Sequence, residues 1–141
     1  MKARTILSSL FFLLLTSTWP LMAQDSYMFK HLDTKNGLSN SQVNYIFKDS
    51  KGFMWFGTAS GLNRYDGYNY KIFRHKESIG HSIADNFVDL IQEDADGNLW
   101  IHTGAGYVFF DSKKEVFVNN LAEIMKGFGI NHIPSVVYID E

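Results

Sequence analysis

The run Asp94-Ala95-Asp96-Gly97-Asn98 carries the alternating acids with which a calcium loop begins, where hard carboxylate oxygens gather around a divalent cation. It lacks the distant glutamate that completes such a loop, and the matching run earlier in the chain, Asp49-Ser50-Lys51-Gly52, has a lysine in place of Asp96. A recurring turn, in which the aspartate bonds backbone amides ahead of it, is the better reading. His31, His75, His81, His102 and His132 show no pair one helical turn apart, the spacing that would hold zinc, and read as surface or turn residues. Trp55 and Trp100 could stack on a sugar ring, but two indoles at matching positions are more economically core residues. A hydrolase needs two carboxylates in different environments, one held protonated and one ionised. Asp49, Asp66, Asp94 and Asp111 instead occupy matching turns, and Glu93 and Glu115 are left over with no nucleophile or base beside them. No catalytic, cofactor-binding or metal-binding residue is predicted.

These residues match because the chain repeats itself. A shift of 45 lays Val43, Ile46, Asp49, Gly52, Trp55, Thr58, Gly61 and Asp66 on Val88, Ile91, Asp94, Gly97, Trp100, Thr103, Gly106 and Asp111. Apolar character is kept where identity is not: Met54 faces Leu99, Phe56 faces Ile101 and Tyr65 faces Phe110. A third copy starts at residues 136–141, which align with 88–93 at a spacing of 48, and the chain ends inside that strand.

Each copy parses into four short strands, at 43–48, 53–58, 62–65 and 68–73, then at 88–93, 98–103, 107–110 and 115–118. Glycine and aspartate mark the turns between them. Stretches such as Phe53-Met54-Trp55-Phe56 and Tyr107-Val108-Phe109-Phe110 are apolar on successive residues. Strand side chains alternate, so both faces of each sheet must be covered. Four antiparallel strands in about 45 residues, with a recurrent Trp, are the mark of β-propeller blades stacked around an axis. The fold class is all-β: two four-stranded antiparallel blades plus the first strand of a third, in an incomplete ring. Leu121, Ile124, Met125 and Phe128 fall at helical spacing, which predicts a short helix near 120–127, capped by Asn119 or Asn120 and stopped by Gly127 or Gly129. Two blades and a strand would leave two apolar outer faces, and no polar cap is written in the sequence.

The residues Asp49, Gly52, Trp55, Gly57, Thr58, Gly61, Leu62, Tyr65 and Asp66 follow the pattern Asp-x-x-Gly-x-x-Trp, Gly-Thr, Gly-Leu, Tyr-Asp, and Gly37-Leu38-Ser39-Asn40-Ser41 precedes them as a blade start. In these features the chain resembles the two-component regulator propeller repeats. The second copy departs from the pattern at His102, Tyr107 and Ser82-Ile83. The resemblance implies the ligand-sensing propeller of a periplasmic sensor in a hybrid two-component protein. It further implies an oligosaccharide as ligand, and a parent carrying further blades, a transmembrane helix, a histidine kinase and a receiver, and assembling as a homodimer. Residues 27–31 lie about as far before Gly37-Leu38 as Tyr70 to Arg74 do before Ser82-Ile83, and so read as a displaced outer strand that would close another blade. A secreted propeller glycosidase or lyase, or a structural, protein-binding propeller, is the alternative. The ligand-binding residues stay unassigned, because other blades would supply most of the mouth.

The organisation expected is therefore a signal peptide at 1–23, a linker and outer strand at 24–36, one blade at 37–80, a second at 81–120, and a connection with the truncated start of a third at 121–141. The leader rests on Lys2 and Arg4, an apolar run from Ile6 to Leu15, and Ala23 before Gln24. An uncleaved anchor is the alternative, and the remainder is exported either way. The whole chain, with 45% hydrophobic and 20% charged residues, has ordinary globular composition, which excludes a disordered tail. The formal net charge is −2, and losing Lys2 and Arg4 makes it two units more negative, so no nucleic-acid partner is predicted through this segment. Cysteine is absent, which excludes disulfides and thiol chemistry.

Overall fold

Aspartate, then glycine, then tryptophan sets the local geometry of each copy. In a computed structural model, which describes residues 29–77 and 80–130, Asp49 accepts hydrogen bonds from the Phe53 amide at 2.8 Å and from the Trp55 indole nitrogen at 2.7 Å. Gly52 takes a φ of +90°, which only glycine adopts without strain, and its amide closes the turn on the Asp49 carbonyl. The chain thereby reverses from β1 (Val43–Lys48) into β2 (Met54–Thr58). β3 (Gly61–Tyr65) and β4 (Tyr70–Phe73) complete a sheet in the order β1-β2-β3-β4, antiparallel throughout. The second copy builds β5 (Val88–Glu93), β6 (Leu99–Thr103), β7 (Gly106–Asp111) and β8 (Val116–Val118) in the same order and sense. Neither sheet closes on itself; these are two propeller blades side by side. All these elements belong to one compact unit that begins at His31.

Several boundaries fall inside those expected from the sequence, and each has a local cause. The second strands begin at Met54 and Leu99 because the amides of Phe53 and Asn98 are held by the turn aspartates. Strand β4 begins at Tyr70 because Asp66 accepts from the amides of Tyr68 and Asn69. Glu115 stands at a φ of +56°, outside the strand region, so β8 starts after it.

The main core lies between the blades. Trp55 and Leu62 from the first blade meet Ile83, Val88, Ile91, Leu99, Ile101, Val108, Phe110 and Phe117, all buried. Trp55 stacks on Phe73 at 5.9 Å and takes Phe110 edge-on at 5.5 Å, while Phe110 and Phe117 sit 4.8 Å apart. Such aromatic contacts add to the burial of large apolar area. At the inner edge the blades come closer still. A β-carbon on Gly57 would lie 2.8 Å from Val88 Cγ1 and 3.0 Å from the Val88 carbonyl oxygen, and Asn44 Nδ2 donates to that same carbonyl at 3.0 Å. Glycine is required there by the neighbouring backbone, whatever its own φ.

The outer faces differ from the expectation of two bare surfaces. On the first blade, Leu38, Phe56 and Tyr65 are buried together, with Leu32, Val43, Met54 and Tyr70 packed around them, so residues 32–38 cover much of that face. Ile46 remains 57% exposed. On the second blade, helix α1 (Leu121–Gly127) lays Leu121, Ile124 and Met125 over Trp100, Tyr107 and Phe109. Apolar surface that had no partner in the linear pattern is shielded by the segments that enter and leave the pair.

The helix stands where its periodicity placed it, and the turn beyond closes at Gly129, at a φ of +75°. The predicted caps are otherwise employed. Asn120 makes no side-chain cap bond, and Asn119 Nδ2 donates to the Ser82 carbonyl at 3.0 Å, tying the exit of the second blade to its entrance. Of the expected outer strand, Phe29 to His31 lie in no strand, and Tyr27 and Met28 are outside the described residues. The leader at 1–23, His132 and the third-copy strand at 136–141 also lie outside them.

Candidate ligand-binding cleft

The acids singled out in the sequence recur at matching turns, and each is held by its own turn. Asp94 accepts from the amides of Asp96 and Asn98 at 3.0 and 2.9 Å and from the Trp100 indole at 3.3 Å. The resemblance to a calcium loop thus comes from a turn whose carboxylate already has its donors. The amides of Asn69 and Tyr68 hold the Asp66 carboxyl below the usual range, and the amide and side chain of Lys114 do the same for Asp111. Trp55 is 1% and Trp100 5% exposed, so neither ring is offered to a ligand. Thr58 and Thr103 play matching parts too, each donating to the carbonyl of the glycine that opens the next strand, at 2.8 and 2.7 Å.

Glu93 and Glu115, which the sequence left without partners, are the exceptions to that pattern, and they join the blades. Glu93 accepts from the Ser50 amide at 2.7 Å and the Ser50 hydroxyl at 2.6 Å. Glu115 accepts from Arg64 Nη1 and Lys71 Nζ, both at 2.6 Å. The sequence hides these pairs because the partners lie 43 to 51 positions apart, in the other copy. Lys71 first, and Arg64 with it, hold the Glu115 carboxyl down at about 2. A carboxyl depressed in the folded state contributes stability above its unfolded value, near 4.5, and loses that contribution as pH falls toward about 2. The side chain is 42% exposed, so water and salt screen the interaction. Glu115→Gln is expected to flatten the acid limb of a melting-temperature profile between those two pH values, with little change of slope above it.

Asp89 escaped the sequence reading, although the signal was present: it stands where the first copy has Asn44, and His102 where it has Gly57. The structure brings the two together, with Asp89 Oδ1 2.7 Å from His102 Nδ1, and Tyr107 packs its ring edge-on at 4.8 Å. His102 is therefore a half-exposed strand residue, not part of a turn. Of the other histidines, His75 Nδ1 meets the Ile83 carbonyl at 2.9 Å and His31 lies 3.6 Å from Asp33. Among the described residues no cluster of three or more metal-ligating side chains forms.

The open space between the blades lies at the inner strands. A cleft of about 620 Å³ is lined by Tyr45, Phe47 and Lys48 from β1 and by Ile91, Gln92 and Glu93 from β5, and the turns at Asp49-Ser50 and Asp94-Ala95 form its rim. Gln92 Oε1 is buried there with no hydrogen-bond partner among the described residues. A buried carbonyl without a donor carries a desolvation cost that an incoming N–H or O–H would relieve. Two aromatic side chains, an unmet acceptor, an ammonium and a carboxylate suit a polar, hydroxyl-bearing ligand with an apolar face.

Fold and repeats together define a class. The family model described as two component regulator propeller matches residues 37–60 and 82–105, one segment in each blade. Each blade thus contains one segment similar to that repeat, and the rest of the chain lies outside the two matches. Histidine kinase P4 of Formosa agariphila is 42% identical over 65 residues, which cover 45% of this chain and 5% of the kinase. Among solved structures, the extracellular domain of a protein described as a hybrid two-component system from B. thetaiotaomicron superposes with a TM-score of 0.59 at 31% identity, over 66% of this chain and 13% of that one. A second extracellular domain from the same organism, described as a one-component system, is 30% identical with a TM-score of 0.48, over 55% of this chain and 11% of that one. The chain thus spans a small part of each relative. Among the described residues no helix is long and apolar enough to cross a membrane.

Proposed function

We propose that this chain is the N-terminal, extracytoplasmic part of the ligand-sensing propeller of a hybrid two-component protein. The leader at 1–23 exports it to the periplasm, further blades of the parent polypeptide complete the ring, and a histidine kinase elsewhere in that parent receives the signal. The parent works as a homodimer, and its ligand is an oligosaccharide. The observation that carries this reading is the pair of propeller repeats, whose fold and 31% identity match an extracellular domain described as belonging to a hybrid two-component system. The cleft supports the ligand class, since its aromatic side chains beside one unmet acceptor, Gln92 Oε1, suit a hydroxylated ring. The recurrent acids are engaged by their own turns, which points to binding rather than bond cleavage as the work of this segment.

A ligand that binds only the folded form raises the melting temperature, so the complete propeller should be titrated with a broad panel of oligosaccharides. At least one is expected to raise it in a dose-dependent way, and Gln92→Leu is expected to reduce that shift. No shift with any member of the panel would turn the reading toward a protein-binding or structural propeller.

A further inference from the structure

Where the repeat is kept, residues maintain the blade; where it breaks on an exposed rim, they are free for other work. Strand β4 and the chain leaving it break the repeat in charge. Lys71, Arg74 and Lys76 have Val116, Asn119 and Leu121 as counterparts, so the second copy carries none of the three cations. In the structure these three side chains line one groove of about 230 Å³ at the outer junction of the blades, together with His81 and Glu115, over Phe73, Ile83 and Phe117.

The groove is positive on a chain whose formal net charge is −2. Its acid, Glu115, is already neutralised by Lys71 and by Arg64 behind it. Arg74 donates from Nε to the Ser60 carbonyl at 3.1 Å, which fixes the stem of the guanidinium, and among the described residues neither Arg74 nor Lys76 forms an ion pair. Ser82 Oγ bonds the backbone of Lys76, which anchors the far lip. An anchored guanidinium and an ammonium over an apolar floor, with the local carboxylate occupied, suit a planar or tetrahedral oxyanion. The volume equals that of about eight liquid waters, enough for one ring-sized group and too little for a chain of them.

We infer that this outer groove binds a compact oxyanion, a carboxylate or sulfate group on a molecule no larger than a single ring, through Arg74 and Lys76. Anion binding follows from the charge and shape of the groove alone; its use as a sensing input rests on the proposed function.

The full chain should be titrated calorimetrically at low salt with galacturonate, with inorganic sulfate and with uncharged galactose. Galacturonate is expected to bind and galactose not, and raising salt from about 50 to about 300 mM should weaken binding several-fold. Arg74→Gln combined with Lys76→Gln should weaken it by about tenfold or more, whereas Lys35→Gln combined with Lys126→Gln should leave it unchanged. Sulfate binding as tightly as galacturonate would support the oxyanion site and assign the affinity to charge rather than to the ring. Equal binding of galactose and galacturonate, full binding by the Arg74/Lys76 variant, or no binding of either anion would overturn the inference. None of those results touches the oligosaccharide panel on the complete propeller, so the sensor reading can stand if this one falls.

Discussion

Trp55→Ala lowers the unfolding free energy by about 3–5 kcal/mol, the cost of removing a large aromatic side chain from a packed core. The indole is 1% exposed and touches both blades, stacking on Phe73 of its own sheet and meeting Phe110 of the next. Its loss opens a cavity where the two sheets are joined, and the indole's hydrogen bond to Asp49 goes with it. Equilibrium urea unfolding followed by far-ultraviolet circular dichroism measures the change. Trp100→Ala is the control: that ring lies against helix α1 and Phe109 on the far face, so its removal should leave the junction intact and cost less. Equal losses for the two variants would show that the blades are not held together through Trp55.

Asp49→Ala is expected to cost roughly 2–4 kcal/mol, from two charge-assisted hydrogen bonds lost and an indole N–H left buried without an acceptor. Asp49 is 8% exposed, and its carboxylate bonds the Phe53 amide at 2.8 Å and the Trp55 indole at 2.7 Å. The same substitution at Asp94 should cost less than half as much, since that carboxylate is only partly buried and its indole bond is 3.3 Å long. Parallel denaturation of the two variants tests the ranking. A larger loss at Asp94 would mean that the turn amides, and not the buried indole, dominate the energy of the motif.

Both expectations show what repetition made readable. The spacing of Asp, Gly and Trp located both hairpins, and the apolar runs on successive residues required sheets covered on both sides. Those are local properties: a turn is set by four or five neighbouring residues, and side-chain alternation is set by the strand backbone. The helix at Leu121–Gly127 was legible for the same reason, since its period lies within eight residues. The six-residue interval from Asp to Trp was visible in both copies as well, although only the fold shows that the carboxylate and indole it separates are bonded across a hairpin.

What lay beyond the sequence was every relation between the copies. Glu93 and Glu115 had no partner in their own repeat, and the groups that receive them, Ser50, Arg64 and Lys71, approach only when the second blade lies against the first. Gly57 fits a family pattern in the sequence, yet its physical reason is the backbone of Val88 in the next blade. The cleft between β1 and β5 and the cationic groove at the outer rim exist only as spaces between sheets, so no segment of the chain contains either one. The sequence by itself determined the repeated hairpins, the turns and the sheet-forming strands, because these depend on neighbours along the chain. The tertiary structure alone decided which charges meet, where glycine is obligatory and where a ligand can enter, because those depend on distances between residues that the chain keeps more than 30 positions apart.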